Sequence, residues 1–254
     1  MKITPKAYFI GAGPGDPDLM TIKARDIISR ADLIIYAGSL VNPEVLKFAK
    51  AGAEIKDSKE MALAEIVALM SACAKSGGTV ARVHTGEPSL YGAIAEQMAG
   101  LDDAGVAYDV VPGVSSAFAA AAAMRCELTL PEVNQTVIFT RLTGRTGVPK
   151  EESLSSLASH RTTMVIFLSV NDIAKVVEEL KAGYPDDTPA AVVYKASWPD
   201  EVIVAGTLAD IAEKTKATGI TKTALIFVGK AIGRSAMKAY SKLYDKDFKH
   251  EYRG

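Results

Sequence analysis

The feature that most constrains this chain is an alternation, sustained from end to end, of short β-branched or aromatic runs with stretches of helical periodicity. Such a pattern is the signature of an α/β protein built on a largely parallel sheet. The first strand reads Ala7-Tyr8-Phe9-Ile10 and stops at the glycines of Gly11-Ala12-Gly13-Pro14-Gly15. Over 21–29 a helix places Ile22, Ala24, Ile27 and Ile28 close to one face, and a strand at Leu33-Ile34-Ile35-Tyr36 follows. A helix over 43–49, a strand near 53–56 and a long helix over 62–75 lead through Gly77-Gly78 to a strand over 79–83. After the turn Thr85-Gly86-Glu87-Pro88 the spacing predicts a helix over about 90–104, ended by Gly105 as a C-terminal cap.

The strand over 108–111 meets Pro112-Gly113, and the pattern restarts there. The expected organisation is an N-terminal α/β domain over 1–112 carrying Gly/Pro loops, a C-terminal α/β domain over 113–234, and a polar tail over 235–254. The second half opens with a small-residue helix over 115–124, then shows strands over 136–140, 164–168, 191–194, 202–205 and 225–228, with helices over 172–182 and 208–218. The short link between 194 and 202 predicts an antiparallel pair, hence a mixed sheet in this half.

Composition removes several function classes. With 254 residues, 48% hydrophobic and 23% charged, the chain has ordinary globular composition. Its formal net charge of -1 and lack of long like-charge runs disfavour a nucleic-acid partner. The most apolar stretch, around 114–124, contains Ser115 and Ser116 and falls short of the about 18 residues a membrane span needs. The first residues lack the apolar core of a signal peptide, so a cytoplasmic location is expected. Cys73 and Cys126 read as buried free thiols, and His84, His160 and His250 are too scattered for a metal-ligand spacing, so no metal site is expected.

Gly11-Ala12-Gly13-Pro14-Gly15-Asp16-Pro17 follows a strand as a dinucleotide fingerprint would, but Asp16 stands where the third glycine belongs and two prolines remove backbone donors. No Gly-Lys-Ser/Thr follows, which excludes a P-loop. A tight strand-to-helix turn without ligand explains this loop equally well when it is taken alone. The second loop, Thr85-Gly86-Glu87-Pro88-Ser89-Leu90-Tyr91-Gly92, shifts the balance: two Gly/Pro loops at the carboxyl ends of strands define the crevice where open α/β sheets hold ligands. Backbone carbonyls, Thr85 and Glu87 offer acceptors, and neither loop carries Lys or Arg, so a neutral or cationic ligand such as an adenosine bearing a sulfonium fits better than NAD or ATP.

These two loops, with Tyr36-Ala37-Gly38-Ser39-Leu40-Val41 and Val111-Pro112-Gly113-Val114-Ser115-Ser116, resemble the tetrapyrrole (corrin and porphyrin) methyltransferases. Tyr194-Lys195-Ala196-Ser197-Trp198-Pro199-Asp200-Glu201 and Ser241-Lys242-Leu243-Tyr244-Asp245 extend the match over nearly the whole chain and resemble the branch acting on carbon 11 of precorrin-4. The resemblance implies two α/β domains, S-adenosyl-L-methionine as methyl donor in a trough between them, a homodimer, and methylation of precorrin-4 or its cobalt complex in cobalamin biosynthesis. Carried over by position, the family's cofactor contacts fall on Pro14, Thr85, Gly86, Glu87, Leu90, Ser115 and Ser116, and in the second domain on Leu168, Tyr194 and Ala224. Where the family commonly has Asp, this chain has Glu87, whose extra methylene pushes the carboxylate deeper or the loop back.

Methyl transfer from a sulfonium needs alignment and a dry site more than an acid, so no catalytic dyad is expected. His84 reads as a strand-end histidine satisfied by backbone. A macrocycle bearing acetates and propionates calls for cations, and Arg141, Arg145 and Lys195 sit near strand ends where they meet such groups or solvent alike. Trp198, the single tryptophan, either stacks on the macrocycle or packs over a hairpin. Uroporphyrinogen-III methylation, or a related RNA or protein methylation, is the alternative the shared cofactor loops leave open.

Overall fold

The computed structural model describes residues 6–144 and 146–233. They form two compact units that divide after Ala119, with Ser197–Pro199 joining the first. In chain order the first contains β1 (Ala7–Gly11), α1 (Ile22–Ile28), β2 (Leu33–Tyr36), β3 (Glu54–Asp57), α2 (Leu63–Lys75), β4 (Val80–His84), α3 (Ala95–Asp103), β5 (Tyr108–Val111) and the start of α4 (Ser116–Met124). Its five strands lie in the order β3-β2-β4-β1-β5, every neighbouring pair parallel.

β1 and β4 are buried along their whole length, as central strands covered on both faces must be. On one face Tyr8, Ile10, Ile34 and Val83 pack with Ala24, Ile27 and Ile28 of α1. On the other, Phe9, Ile35 and Val80 pack with Met70 of α2 and Leu101 of α3. The chain therefore leaves β1 toward one face and its neighbour β4 toward the other. That divergence is a topological switch point, where the loops at the carboxyl ends of an open sheet part to admit a ligand.

Local chemistry sets most boundaries. Thr21 caps α1, its hydroxyl accepting from Ala24 N at 3.2 Å. Residues 43–48 form a 3-10 helix rather than an α-helix, with Pro43 in its first turn and Asn42 capping it. The helix expected from about 90 begins only at Ala95, because Tyr91 and Ala93 take left-handed φ of 58° and 49° and keep 85–94 a loop.

The second unit contains β6 (Val137–Arg141), α5 (Leu154–Ala158), β7 (Thr163–Phe167), α6 (Ile173–Leu180), β8 (Pro189–Tyr194), β9 (Val202–Thr207), α7 (Ile211–Ala217) and β10 (Ala224–Val228). Its strand order is β6-β7-β10-β8-β9, and the expected mixed sheet is present: β6 and β7 are parallel, β10 is antiparallel to β7 and β8, and β8 and β9 are antiparallel. α6 buries Ile173, Val176, Val177 and Leu180, one helical stripe, in a core with Met164, Ile166, Val192 and Ile226. These directions put the carboxyl ends of β6, β7 and β8 and the amino end of β10 on one sheet edge. The two cysteines are free and half-buried, less enclosed than expected.

Candidate functional site

In the first unit, the loops leaving the adjacent strands β4, β1 and β5 converge. Ala12 N donates to His84 O and Gly86 N to Gly13 O, each at 2.8 Å. A Cβ built on Gly11 would lie 2.5 Å from Gly86 O and 2.6 Å from Gly113 Cα, and one on Gly113 would lie 2.1 Å from Gly86 O. Three backbones thus meet with no room for a side chain at either position. Gly13 and Gly86 add left-handed φ of 79° and 59°.

Glu87 ties two of these loops together. One carboxylate oxygen accepts from Gly113 N at 2.8 Å and the other from Ser89 N at 2.9 Å. Burial works to raise its pKa, but the backbone N–H groups of Gly113 and Ser89, with the Ser89 hydroxyl, outweigh it and hold the carboxyl below the ordinary glutamate value. Ser115, 6% exposed, caps α4 with its hydroxyl accepting from Ala117 N at 3.3 Å, and Ser116 N lies 3.6 Å from where a Gly86 Cβ would stand. Pro14 is buried, while Thr85 and Leu90 are half-buried. All seven residues assigned to the cofactor in this half therefore sit on these converging loops.

Three side chains that meet the first loop carry weaker sequence signals. Gly15 O accepts from Asn42 Nδ2 at 2.8 Å, Pro14 O from Trp198 Nε1 at 2.9 Å, and Asp16 N donates to Ser197 Oγ at 3.0 Å. Trp198 thus packs on the first Gly/Pro loop. Nothing in the sequence marks Asn42 beyond its place before Pro43, and Ser197-Trp198 stand out only as the turn holding the single tryptophan.

Two titratable side chains of β4, Arg82 and His84, are buried. Arg82 donates to Gln97 Oε1 at 2.8 Å and to Ile35 O at 3.3 Å, and burial lowers its pKa to about 10. His84, 5% exposed, has its Nε2 unpartnered rather than satisfied by backbone. Burial, helped by the Arg82 charge, pushes its pKa down to about 3, so the ring is neutral at physiological pH.

In the second unit, Arg141, Leu168, Ala224, Tyr194 and Lys195 fall along one sheet edge in that strand order. Leu168 is 70% exposed at φ 54°, and Lys195 and Thr223 take φ of 46° and 55°. Left-handed backbone at non-glycine residues costs about 1–3 kcal/mol each and collects where function demands it. Arg141 Nη2 donates to Thr146 O at 2.9 Å and Gly147 O at 3.3 Å, and Lys195 pairs with Asp200 at 2.6 Å. Both cations are thus partly engaged by their own loops. Arg145, the tail over 235–254 and its 241–245 stretch lie outside the described residues.

As a ligand site, the converging loops offer carbonyls, the Thr85 hydroxyl and one carboxylate, with no basic side chain over 11–16 or 85–94. That donor set fits a cationic sulfonium nucleoside and does not fit a pyrophosphate. Comparison with known proteins points the same way. Residues 6–212 match the Tetrapyrrole (Corrin/Porphyrin) Methylases. The chain is 56% identical to the cobalt-precorrin-4 C(11)-methyltransferase of Methanocaldococcus jannaschii over 98% of its own length and 96% of that protein's. It is 49% identical to the precorrin-4 C(11)-methyltransferase of Pseudomonas aeruginosa, covering 97% and 98%. Among solved structures, a cobalt precorrin-4 methyltransferase superposes with a TM-score of 0.87 at 48% identity, covering 89% of this chain and 95% of that one. A uroporphyrin-III C-methyltransferase from Thermus thermophilus complexed with S-adenosylhomocysteine gives 0.74 at 28% identity, covering 89% and 98%.

Proposed function

This chain belongs to the tetrapyrrole (corrin/porphyrin) methylases, and from that premise we propose that it methylates carbon 11 of precorrin-4 or cobalt-precorrin-4 in cobalamin biosynthesis, with S-adenosyl-L-methionine as donor. The observation that carries the reading is the meeting of Gly11, Gly86 and Gly113 at the switch point, beside the Glu87 carboxylate and away from any basic loop residue.

Bound there, the cofactor supplies an electrophilic methyl group on a cationic sulfur. The chain's own contribution is alignment and exclusion of water, and orientation of a reacting pair is worth about 7–11 kcal/mol. In this reading Pro14, Thr85, Gly86, Glu87, Leu90, Ser115 and Ser116 hold the cofactor from the first unit, and Leu168, Tyr194 and Ala224 from the second. Arg141 and Lys195 meet carboxylates of the macrocycle. His84 takes no part as a base: a ring neutral down to about pH 3 has almost no affinity for a proton at neutrality.

The relatives named with and without cobalt are both close to this chain, so both substrates belong in the test. Purified protein is incubated with S-adenosylmethionine and, separately, cobalt-precorrin-4, metal-free precorrin-4 and uroporphyrinogen III, and products are weighed by mass spectrometry. One added methyl on either precorrin-4 form is the expected result. Methylation of uroporphyrinogen III alone would favour the second reading, which the fold shared with the uroporphyrin enzyme supports. A homodimer in the cytoplasm completes the proposal, to be checked by light scattering and cell fractionation; among the described residues no helix is long and apolar enough to cross a membrane.

A further inference from the structure

We propose that Ser197 and Trp198 are positioning residues for the cofactor, acting as a strap that holds the first Gly/Pro loop in its binding shape. The proposal rests on the assignment of that loop to S-adenosylmethionine. Ser197–Pro199 cluster with the first unit although the residues on either side in sequence belong to the second. The contacts concentrate on three consecutive loop residues: Trp198 Nε1 donates to Pro14 O at 2.9 Å, the indole covers Gly15, and Ser197 Oγ accepts from Asp16 N at 3.0 Å. Asn42 Nδ2 donates to the Gly15 carbonyl at 2.8 Å. Polar groups of all three residues are thereby engaged by side chains remote in sequence.

The fit over Gly15 is tight. A Cβ there would lie 2.0 Å from Trp198 Cδ1 and 2.1 Å from Nε1, so glycine is required by the indole rather than by its own backbone angles. Ser197 itself sits at φ 69° and Lys195 at φ 46°, strained backbone that turns the segment onto the loop. A loop prepaid in this way loses less entropy when the ligand binds. Because Trp198 is the one tryptophan of the chain, its emission reports on the surroundings of this side chain.

The test is a double-mutant cycle read by calorimetry with S-adenosylhomocysteine, with folding checked by circular dichroism. Gly15→Ala, which drives a methyl into the indole, is expected to weaken binding at least tenfold in the wild-type background. In Trp198→Ala, which empties that space and is itself weakened, adding Gly15→Ala is expected to cost less than threefold more. Trp198→Phe keeps the packing and loses the donor, and Ser197→Ala loses only the Asp16 acceptor; each should weaken binding severalfold with little change in melting temperature. Tryptophan emission of the wild type should shift on titration. Strictly additive effects of Gly15→Ala and Trp198→Ala, or folded Trp198 and Ser197 variants that bind like wild type, would overturn the strap. If wild type itself fails to bind S-adenosylhomocysteine, the cofactor assignment falls instead, so the two failures are distinct.

Discussion

Single residues at the convergence of loops do separable jobs. Gly86 has room for a Cβ, whose nearest neighbour is Ser116 N at 3.6 Å, but its φ of 59° penalises any β-branched side chain. Gly86→Val is expected to abolish S-adenosylhomocysteine binding in a protein that still folds, by calorimetry. Gly113→Ala meets Gly86 O directly and should instead destabilise the unit by about 1–3 kcal/mol or more, seen as a lower melting temperature. Glu87 acts through charge-assisted bonds to Gly113 and Ser89, worth about 1.5–3 kcal/mol each when intact. Its folded pKa is depressed, so its stabilisation is present above the unfolded glutamate pKa and fades as pH falls through the lower folded value. Glu87→Gln should therefore lower the melting temperature at neutral pH and flatten its decline on acidification. His84 has the same outward trend from the opposite chemistry. Its unfolded form takes up a proton below about 6.5 while the folded ring waits until about 3, so stability is lost as pH drops through that window. An NMR titration should find the His84 ring shifts flat between about pH 8 and 5; a midpoint near 6.5 would contradict the buried neutral ring.

At the level of elements, strands and helices were legible where burial imposes a pattern, as in α6 with its 173, 176, 177, 180 stripe and in the fully buried, largely apolar runs of β1 and β7. The failures are loops under local control. The helix expected from about 90 starts late because Tyr91 and Ala93 take left-handed angles that propensity does not foresee. Glycines Gly11 and Gly113 were readable as turn residues, but their mutual contact depends on sheet order, which places β1 between β4 and β5 and is invisible to periodicity. The docking of Ser197-Trp198 on Pro14 spans 184 residues between Trp198 and its acceptor, beyond any local pattern. Arg141 was legible as a strand-end cation, whereas its bonds to Thr146 and Gly147 were not. Arg141→Ala is expected to raise the Michaelis constant for the tetrapyrrole about tenfold, the equivalent of about 1.4 kcal/mol, while S-adenosylhomocysteine affinity stays constant. Faster amide exchange around Thr146 and Gly147 would locate part of that loss in the loop Arg141 holds. Unchanged kinetics would return Arg141 to a purely structural role.

For the whole molecule, each α/β unit has its own loop-bearing sheet edge: acceptor-rich glycine loops in the first, and the edge carrying Arg141, exposed Leu168 and Lys195 in the second. A ligand that binds only the folded chain stabilises it by mass action, about 2.7 kcal/mol at a hundredfold excess over its dissociation constant. S-adenosylhomocysteine should accordingly raise the melting temperature and NAD should leave it unchanged. The site of methyl transfer itself is read from the product. Cobalt-precorrin-4 and metal-free precorrin-4 are each incubated with the enzyme and S-adenosylmethionine labelled with carbon-13 in the methyl group, and the products are examined by carbon NMR. A single new labelled methyl attached to carbon 11 of one or both is expected; a labelled methyl at another carbon, or none on either substrate from a protein that binds S-adenosylhomocysteine, would contradict methylation at carbon 11.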